Sequence, residues 1–138
     1  MNHKQAALNA FIGIRRTSDQ LLKLAKKDAN RYNLNINEFA VLELLLHKGP
    51  STVQTITEKI LIANSSTTYI IDQLCLKELV YRESAPHDRR VCIVHLTDEG
   101  EKLISSIFPC HADMIDKAFT ELDTDEIRQL ISLLKRIQ

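Results

Sequence analysis

Apolar residues recur at helical spacing, then in strict alternation, then at helical spacing again. From Ala6 to Asn30, Leu8, Phe11, Ile12, Ser18, Leu22, Ala25 and Ala29 fall at three- and four-residue steps. Arg15, Arg16, Lys23, Lys26 and Lys27 fill the remainder, which predicts an amphipathic helix. A second helix brings its own start signal. Asn35 at N-cap with Glu38 three residues on reads as a capping box, and Leu34 with Phe39 as a hydrophobic staple. Phe39, Leu42, Leu45 and Leu46 supply its apolar stripe, and Gly49-Pro50 ends it. Ser51 with Gln54 reads as another capping pair, opening a short helix with Ile56 and Ile60 inward. A break over Leu61 to Asn64 precedes a helix starting near Asn64 or Ser65, with Ile70, Ile71, Leu74, Cys75 and Leu79 apolar. Two short helices joined by a tight turn have the shape of a helix-turn-helix.

After Leu79 the period changes. "LVYRE" and "RVCIVHL" read as two strands around a "SAPHDR" turn. Cys92, Val94 and Leu96 fall on one face of the second, and Val91, Ile93 and His95 on the other. Thr97 then caps a helix with Asp98 and Glu99 in its first turn, favourable at the positive helix end. That helix is expected to reach about Thr120. Its broad stripe is Ile104, Ile107, Phe108, His111, Met114, Ile115, Ala118 and Phe119, and Pro109 predicts a kink. Leu122, Asp123, Glu126 and Ile127 repeat the staple and box, and Ile127, Leu130, Ile131, Leu134 and Ile137 line a closing helix. The expected fold is mainly α with a small β hairpin: a winged helix-turn-helix flanked by terminal helices. A chain of 138 residues fits one domain, with helices 1–34 and 101–138 bracketing a winged helix at 35–100.

Charge sharpens this picture. Lys plus Arg and Asp plus Glu number 18 each. From Met1 to Asn35 the basic-to-acidic count is seven to two, from Ile36 to Gly100 six to nine, and beyond that five to seven. No segment is an electrostatic clamp, so a nucleic-acid binder of this kind must place its basic groups rather than mass them. The N-terminus lacks an apolar leader and no stretch is long enough to span a bilayer. The expected location is the cytoplasm, without a membrane partner. Three cysteines, Cys75, Cys92 and Cys110, form neither a C-x-x-C pair nor an even set. They read first as small buried hydrophobes and second as redox or electrophile thiols. His87, Cys92 and His95 do not share a strand face as metal ligands would. With no catalytic constellation or phosphate-binding glycine loop, no enzyme, metal or cofactor is indicated.

The second helix of a helix-turn-helix sets its N-terminal residues against base edges, where short polar side chains allow close approach. Those residues are Ser65, Ser66, Thr67, Thr68 and Tyr69, with Thr52 and Gln54 near the phosphate backbone. At the hairpin, Arg89 and Arg90 suit a narrow minor groove, which concentrates negative potential. Asp88 reads as a brace for one of them. Each feature has a plainer reading, a hydroxyl-rich helix cap or a solvated surface pair. The competing class is a winged helix used as a protein-interaction module without sequence-specific DNA binding.

The segment "TEKILIANSSTTYIIDQLCLKELVYRESAPHDRRVCIVHLTDEGEKLI" resembles the core of the MarR family of bacterial transcription regulators. The resemblance rests on the helix-turn-helix, "LV-x-R" at Leu79, Val80 and Arg82, "DRR" at Asp88 to Arg90, and "LTDEG" at Leu96 to Gly100. "IFPCH" at Ile107 to His111, with "TTYIIDQL" upstream, is similar to the branch responding to quinones and related aromatic electrophiles. One departure is Glu78, where many members have glycine. Another is the lack of any cysteine before Cys75, which disfavours the peroxide-sensing design. The resemblance implies a homodimer built by the first, fifth and sixth helices. It also implies a pseudo-palindromic operator, usually repression, and release by a small phenolic or quinone effector or by thiol modification. Phe11, Phe39 and His111 are the expected effector-pocket residues. Leftover apolar stripes on the terminal helices argue independently for the dimer.

Overall fold

The computed structural model describes residues 1–60 and 64–138, with the backbone alone for Asn64 and Ser65. In chain order the elements are α1 (His3–Asn30), α2 (Ile36–Lys48), β1 (Ser51–Thr52), α3 (Val53–Ile60), α4 (Asn64–Leu76), β2 (Val80–Ala85), β3 (Asp88–Leu96), α5 (Asp98–Ala118) and α6 (Thr124–Ile137). They divide into two compact units: Ala25–Pro109, the winged unit, and Met1–Leu24 with Cys110–Gln138, the terminal unit. The winged unit is wider than the 35–100 span expected, because Ala29 near the end of α1 and Ile104 and Ile107 on α5 join its core.

In the winged unit α2 starts as expected. The Asn35 side chain accepts from the Glu38 amide at 2.8 Å, and Glu38 Oε1 accepts from the Asn35 amide at 2.9 Å. Gly49 ends the helix at φ 78°, a conformation that favours glycine. The next segment differs from expectation. Ser51 does not cap α3; with Thr52 it forms β1, paired antiparallel to β3 through Ser51–Val94 and Thr52–Ile93. Thr52 is the cap, its Oγ1 accepting from the Thr55 amide at 3.1 Å. The hairpin is thus part of a three-stranded sheet, ordered β1-β3-β2. The predicted break at Leu61 to Asn64 lies outside the described residues at Leu61, Ile62 and Ala63.

The end of α4 explains two sequence features together. Glu78 adopts φ 61°, the left-handed region where an L-residue is strained. There the Glu78 and Leu79 amides donate to the Cys75 and Leu74 carbonyls at 2.9 and 3.0 Å, closing the helix in a Schellman-type turn. Thr97 fastens that turn to α5. Its hydroxyl donates to the Glu78 carbonyl at 2.7 Å and accepts from the Gly100 amide at 3.0 Å. A Cβ on Gly100 would lie 2.0 Å from the Leu79 carbonyl oxygen, so only glycine fits. Phe39, Val41, Leu42, Ile56, Ile71, Leu74, Val94 and Ile104 are the sealed centre of this unit.

In the terminal unit, α6 opens on the predicted capping box. Asp123 accepts from the Glu126 amide at 2.8 Å, and Glu126 from the Asp123 amide at 3.0 Å. The helix α5 ends at Ala118, two residues short of expectation, in turns through Phe119 to Leu122. No described residue of this unit is fully buried. Leu8, Phe11, Ile12, Ile14, Ile131 and Leu133 are all more than two-fifths exposed on the isolated chain. No helix among the described residues is long and apolar enough to cross a membrane.

Candidate nucleic-acid interface

The helix-turn-helix pair is α3 and α4, and a β-rich wing follows. On α4, Ser66, Thr68 and Tyr69 are exposed, Tyr69 by 62%. Thr67 corrects the sequence reading. It is completely buried, and its hydroxyl shares a 2.7 Å hydrogen bond with that of Thr57 on α3. In a run of four consecutive hydroxyl residues, helical geometry must turn some inward, and Thr67 holds α4 against α3 instead of meeting a ligand. The side chain of Ser65 lies outside the described residues. Thr52 is half-buried, and its hydroxyl caps α3, bonded to both the Thr55 amide and the Thr55 hydroxyl. Gln54 is exposed and reaches Glu58 Oε1 at 3.3 Å along the same helix.

The wing turn is tighter than the sequence implied. Only Pro86 and His87 lie between the strands, and the register shifts at Ser84/Ala85. Arg89 and Arg90 are therefore strand residues just past the tip. They have different surroundings. Asp88 Oδ1 accepts from both the amide and Nε of Arg90, at 3.0 and 3.1 Å. The backbone N–H of Arg90, and then its guanidinium, hold the Asp88 carboxyl below its ordinary range. Arg90 remains 91% exposed with this brace in place. Arg89 is exposed and its side chain makes no hydrogen bond or ion pair with the described residues.

Two contacts have no counterpart in the sequence reading. Arg82 on β2 reaches α4, donating to Asp72, to the Thr68 carbonyl at 3.4 Å and towards Cys75 Sγ at 3.6 Å. Partial burial pulls the Arg82 pKa down, but the hydrogen bond to Asp72 and nearby negative charge outweigh it, leaving the pKa raised. Lys77, just past α4, donates to the Asn33 carbonyl at 2.7 Å and pairs at 2.9 Å with Glu38, whose side chain is 4% exposed. Both pairs join residues far apart in sequence, so no local pattern signals them. A further contact stacks Tyr81 on His95 at 4.9 Å, with Glu83 3.0 Å from His95 Nε2.

The remaining candidates are spread over the molecule. Cys75 and Cys92 are half-buried and Cys110 is exposed, so none is the fully buried small hydrophobe expected. Phe39 is sealed in the winged core at 1% exposure, Phe11 is 58% exposed, and His111 is half-buried. Among the described residues no group of three or more His, Cys, Asp or Glu could hold a metal.

Comparison with known proteins agrees with this architecture. The sequence model of the MarR family matches residues 34–92, from just before α2 into β3. The HTH-type transcriptional regulator MhqR of Bacillus subtilis is 40% identical over 133 residues, covering 96% of this chain and 92% of the relative. The same species' uncharacterized HTH-type transcriptional regulator YkoM is 37% identical, covering 96% and 86%. Among solved structures, a cysteine-to-serine mutant of MarR from E. coli complexed with operator DNA superposes with a TM-score of 0.85. Its identity is 20%, with 99% of each chain covered. Bordetella bronchiseptica BpsR, whose DNA binding is regulated by 6-hydroxynicotinic acid, gives 0.82 at 21% identity, covering 94% and 98%. The chain belongs to the MarR family of winged helix-turn-helix transcription regulators.

Proposed function

We propose that the protein is a homodimeric repressor that binds a pseudo-palindromic operator, with α4 in the major groove and the wing against an adjacent minor groove. The observation carrying this reading is the division of labour between hydroxyls and arginines. Ser66, Thr68 and Tyr69 stand exposed on α4, while Asp88 holds Arg90 and leaves Arg89 unengaged. Hydroxyls at a helix N-terminus suit base edges and phosphates. Two exposed guanidiniums on one strand suit a narrow groove without any net positive charge. Arg89 is the residue that enters the groove, and Arg90, fixed by Asp88, meets the flanking phosphates.

The terminal helices form the dimer. Their exposed leucines, isoleucines and Phe11 make an apolar surface larger than scattered surface residues would give. A dimer places two α4 helices about one DNA turn, or a multiple of it, apart. Release follows binding of a small phenol or quinone, or modification of a thiol. The ligand-regulated BpsR supports the first route.

The test uses the full chain and labelled DNA from its own upstream region, with unrelated duplex as competitor. Preference for the upstream DNA and a dimer by light scattering are expected. Arg89→Ala with Arg90→Ala should weaken binding and shallow its salt dependence while the dimer stays folded. Unchanged binding by that double variant would sink the wing assignment, and no preference at all would favour a protein-interaction module. For release, thermal stabilisation by a phenol and quinone panel should survive replacement of Cys75, Cys92 and Cys110 if a pocket is used. It should vanish if thiol chemistry is used.

A further inference from the structure

The helix α4 carries one acidic residue, Asp72, and no lysine or arginine. Asp72 stands four residues after Thr68 and three after Tyr69, so the three share a helix face, and all are exposed. On the DNA-binding reading above, that face must approach a polyanion, where a bare carboxylate one turn from the contact residues opposes binding. The wing supplies the missing cation. Arg82 donates from Nη2 to Asp72 Oδ1 and reaches the Thr68 carbonyl at 3.4 Å. Both side chains are partly exposed, Arg82 by 35% and Asp72 by 53%. The Arg82 guanidinium is directed at α4, where Asp72, the Thr68 carbonyl and Cys75 Sγ take its N–H groups.

Resting on that reading, we propose that Arg82 is a charge-masking and positioning residue. It neutralises Asp72 on the recognition face, so that the helix meets DNA without an unpaired carboxylate beside its contact residues. It acts through Asp72 rather than through a phosphate of its own. This explains how a recognition helix with a net negative sequence presents no net negative charge to the groove.

The experiment takes the full chain and a duplex selected by the wild-type protein from random sequence, and measures affinity across a salt series. The variants are Arg82→Met, Asp72→Asn and the two combined, with circular dichroism to verify folding. Arg82→Met should weaken binding roughly three- to tenfold at low salt, and the loss should shrink as salt rises. Asp72→Asn should bind at least as well as wild type. The double variant should return to within about twofold of wild type, since the anion that Arg82 masks is gone. A double variant as weak as Arg82→Met would overturn the proposal in favour of a direct Arg82–phosphate contact. Equal weakness of all three would overturn it in favour of a purely geometric tie. If Arg82→Met fails to fold, Asp72→Asn decides alone: weaker binding than wild type overturns the proposal. A wild-type protein that selects no duplex overturns the DNA-binding reading, and this inference with it.

Discussion

The winged unit and the terminal unit are built from similar amounts of amphipathic helix, yet they bury apolar surface in opposite ways. Every fully buried hydrophobic side chain among the described residues lies between Ala29 and Ile107, inside the winged unit. The terminal unit seals none, although Phe11, Ile12, Ile131 and Leu133 are as apolar as the residues that do make a core. An apolar stripe is a demand for a partner surface. In the winged unit the chain itself meets that demand through α2, α3, α4 and the sheet. In the terminal unit the demand stays open on a single chain, which is the physical case for a second copy.

The sharpest way to break this contrast is to truncate one phenylalanine in each unit. Phe39→Ala should cost about 3–5 kcal/mol, because it empties a sealed site. Phe11→Ala should cost the isolated chain under about 1 kcal/mol and instead raise the dimer dissociation constant. Chemical denaturation at two protein concentrations reads both. Equal, concentration-independent losses would erase the distinction between the units.

The next effect concerns polar groups within the winged unit. Lys77→Met leaves the Glu38 carboxylate, 4% exposed, without its cation, and should destabilise by about 2–4 kcal/mol. A melt within one degree of wild type would mean that the pair is solvated in solution. Smaller and opposite in sign is Glu78→Gly. It removes the strain of φ 61° and should stabilise by up to about 1 kcal/mol, less the extra freedom glycine gains when unfolded.

The smallest effect is on the wing. The Asp88 carboxyl is held below its ordinary range in the folded chain by the Arg90 N–H and guanidinium. Its contribution is therefore present above the unfolded pKa of about 4 and is lost as pH falls through the lower folded value. The side chain is 39% exposed, so Asp88→Asn should leave the melting temperature nearly unchanged at neutral pH. It should weaken DNA binding only about two- to threefold by loosening Arg90. A chemical-shift titration of the Asp88 carboxyl, compared with the Arg90→Ala variant, checks the direction. An Asp88 that titrates at its ordinary value in both would remove the brace.

Local signals were legible wherever neighbours along the chain decide the outcome. The capping boxes at Asn35 and Asp123, the Gly49 stop, the Thr97 cap and the switch to alternation after Leu79 all depend on residues within one turn of each other. The strained Glu78 was flagged only through the family resemblance, in which many members carry glycine at that place. Thr67 was misread as outward-facing, and Ser51 as the α3 cap in place of Thr52, because hydroxyl residues look alike in sequence. Which one turns inward depends on where α3 and α4 touch and on where β1 begins. The strand β1 was missed because two residues show no alternation, and only the edge of β3 makes Ser51 and Thr52 a strand.

The amino-acid sequence alone determined the order of the helices and of the β2–β3 hairpin, the caps of α2, α5 and α6, and the family, since each follows from short-range periodicity or from motifs in fixed order. Tertiary structure decided which hydroxyls face outward and that Arg82 covers Asp72. Those outcomes depend on contacts between residues far apart in the chain, and packing brings such residues together without leaving any local pattern that announces it.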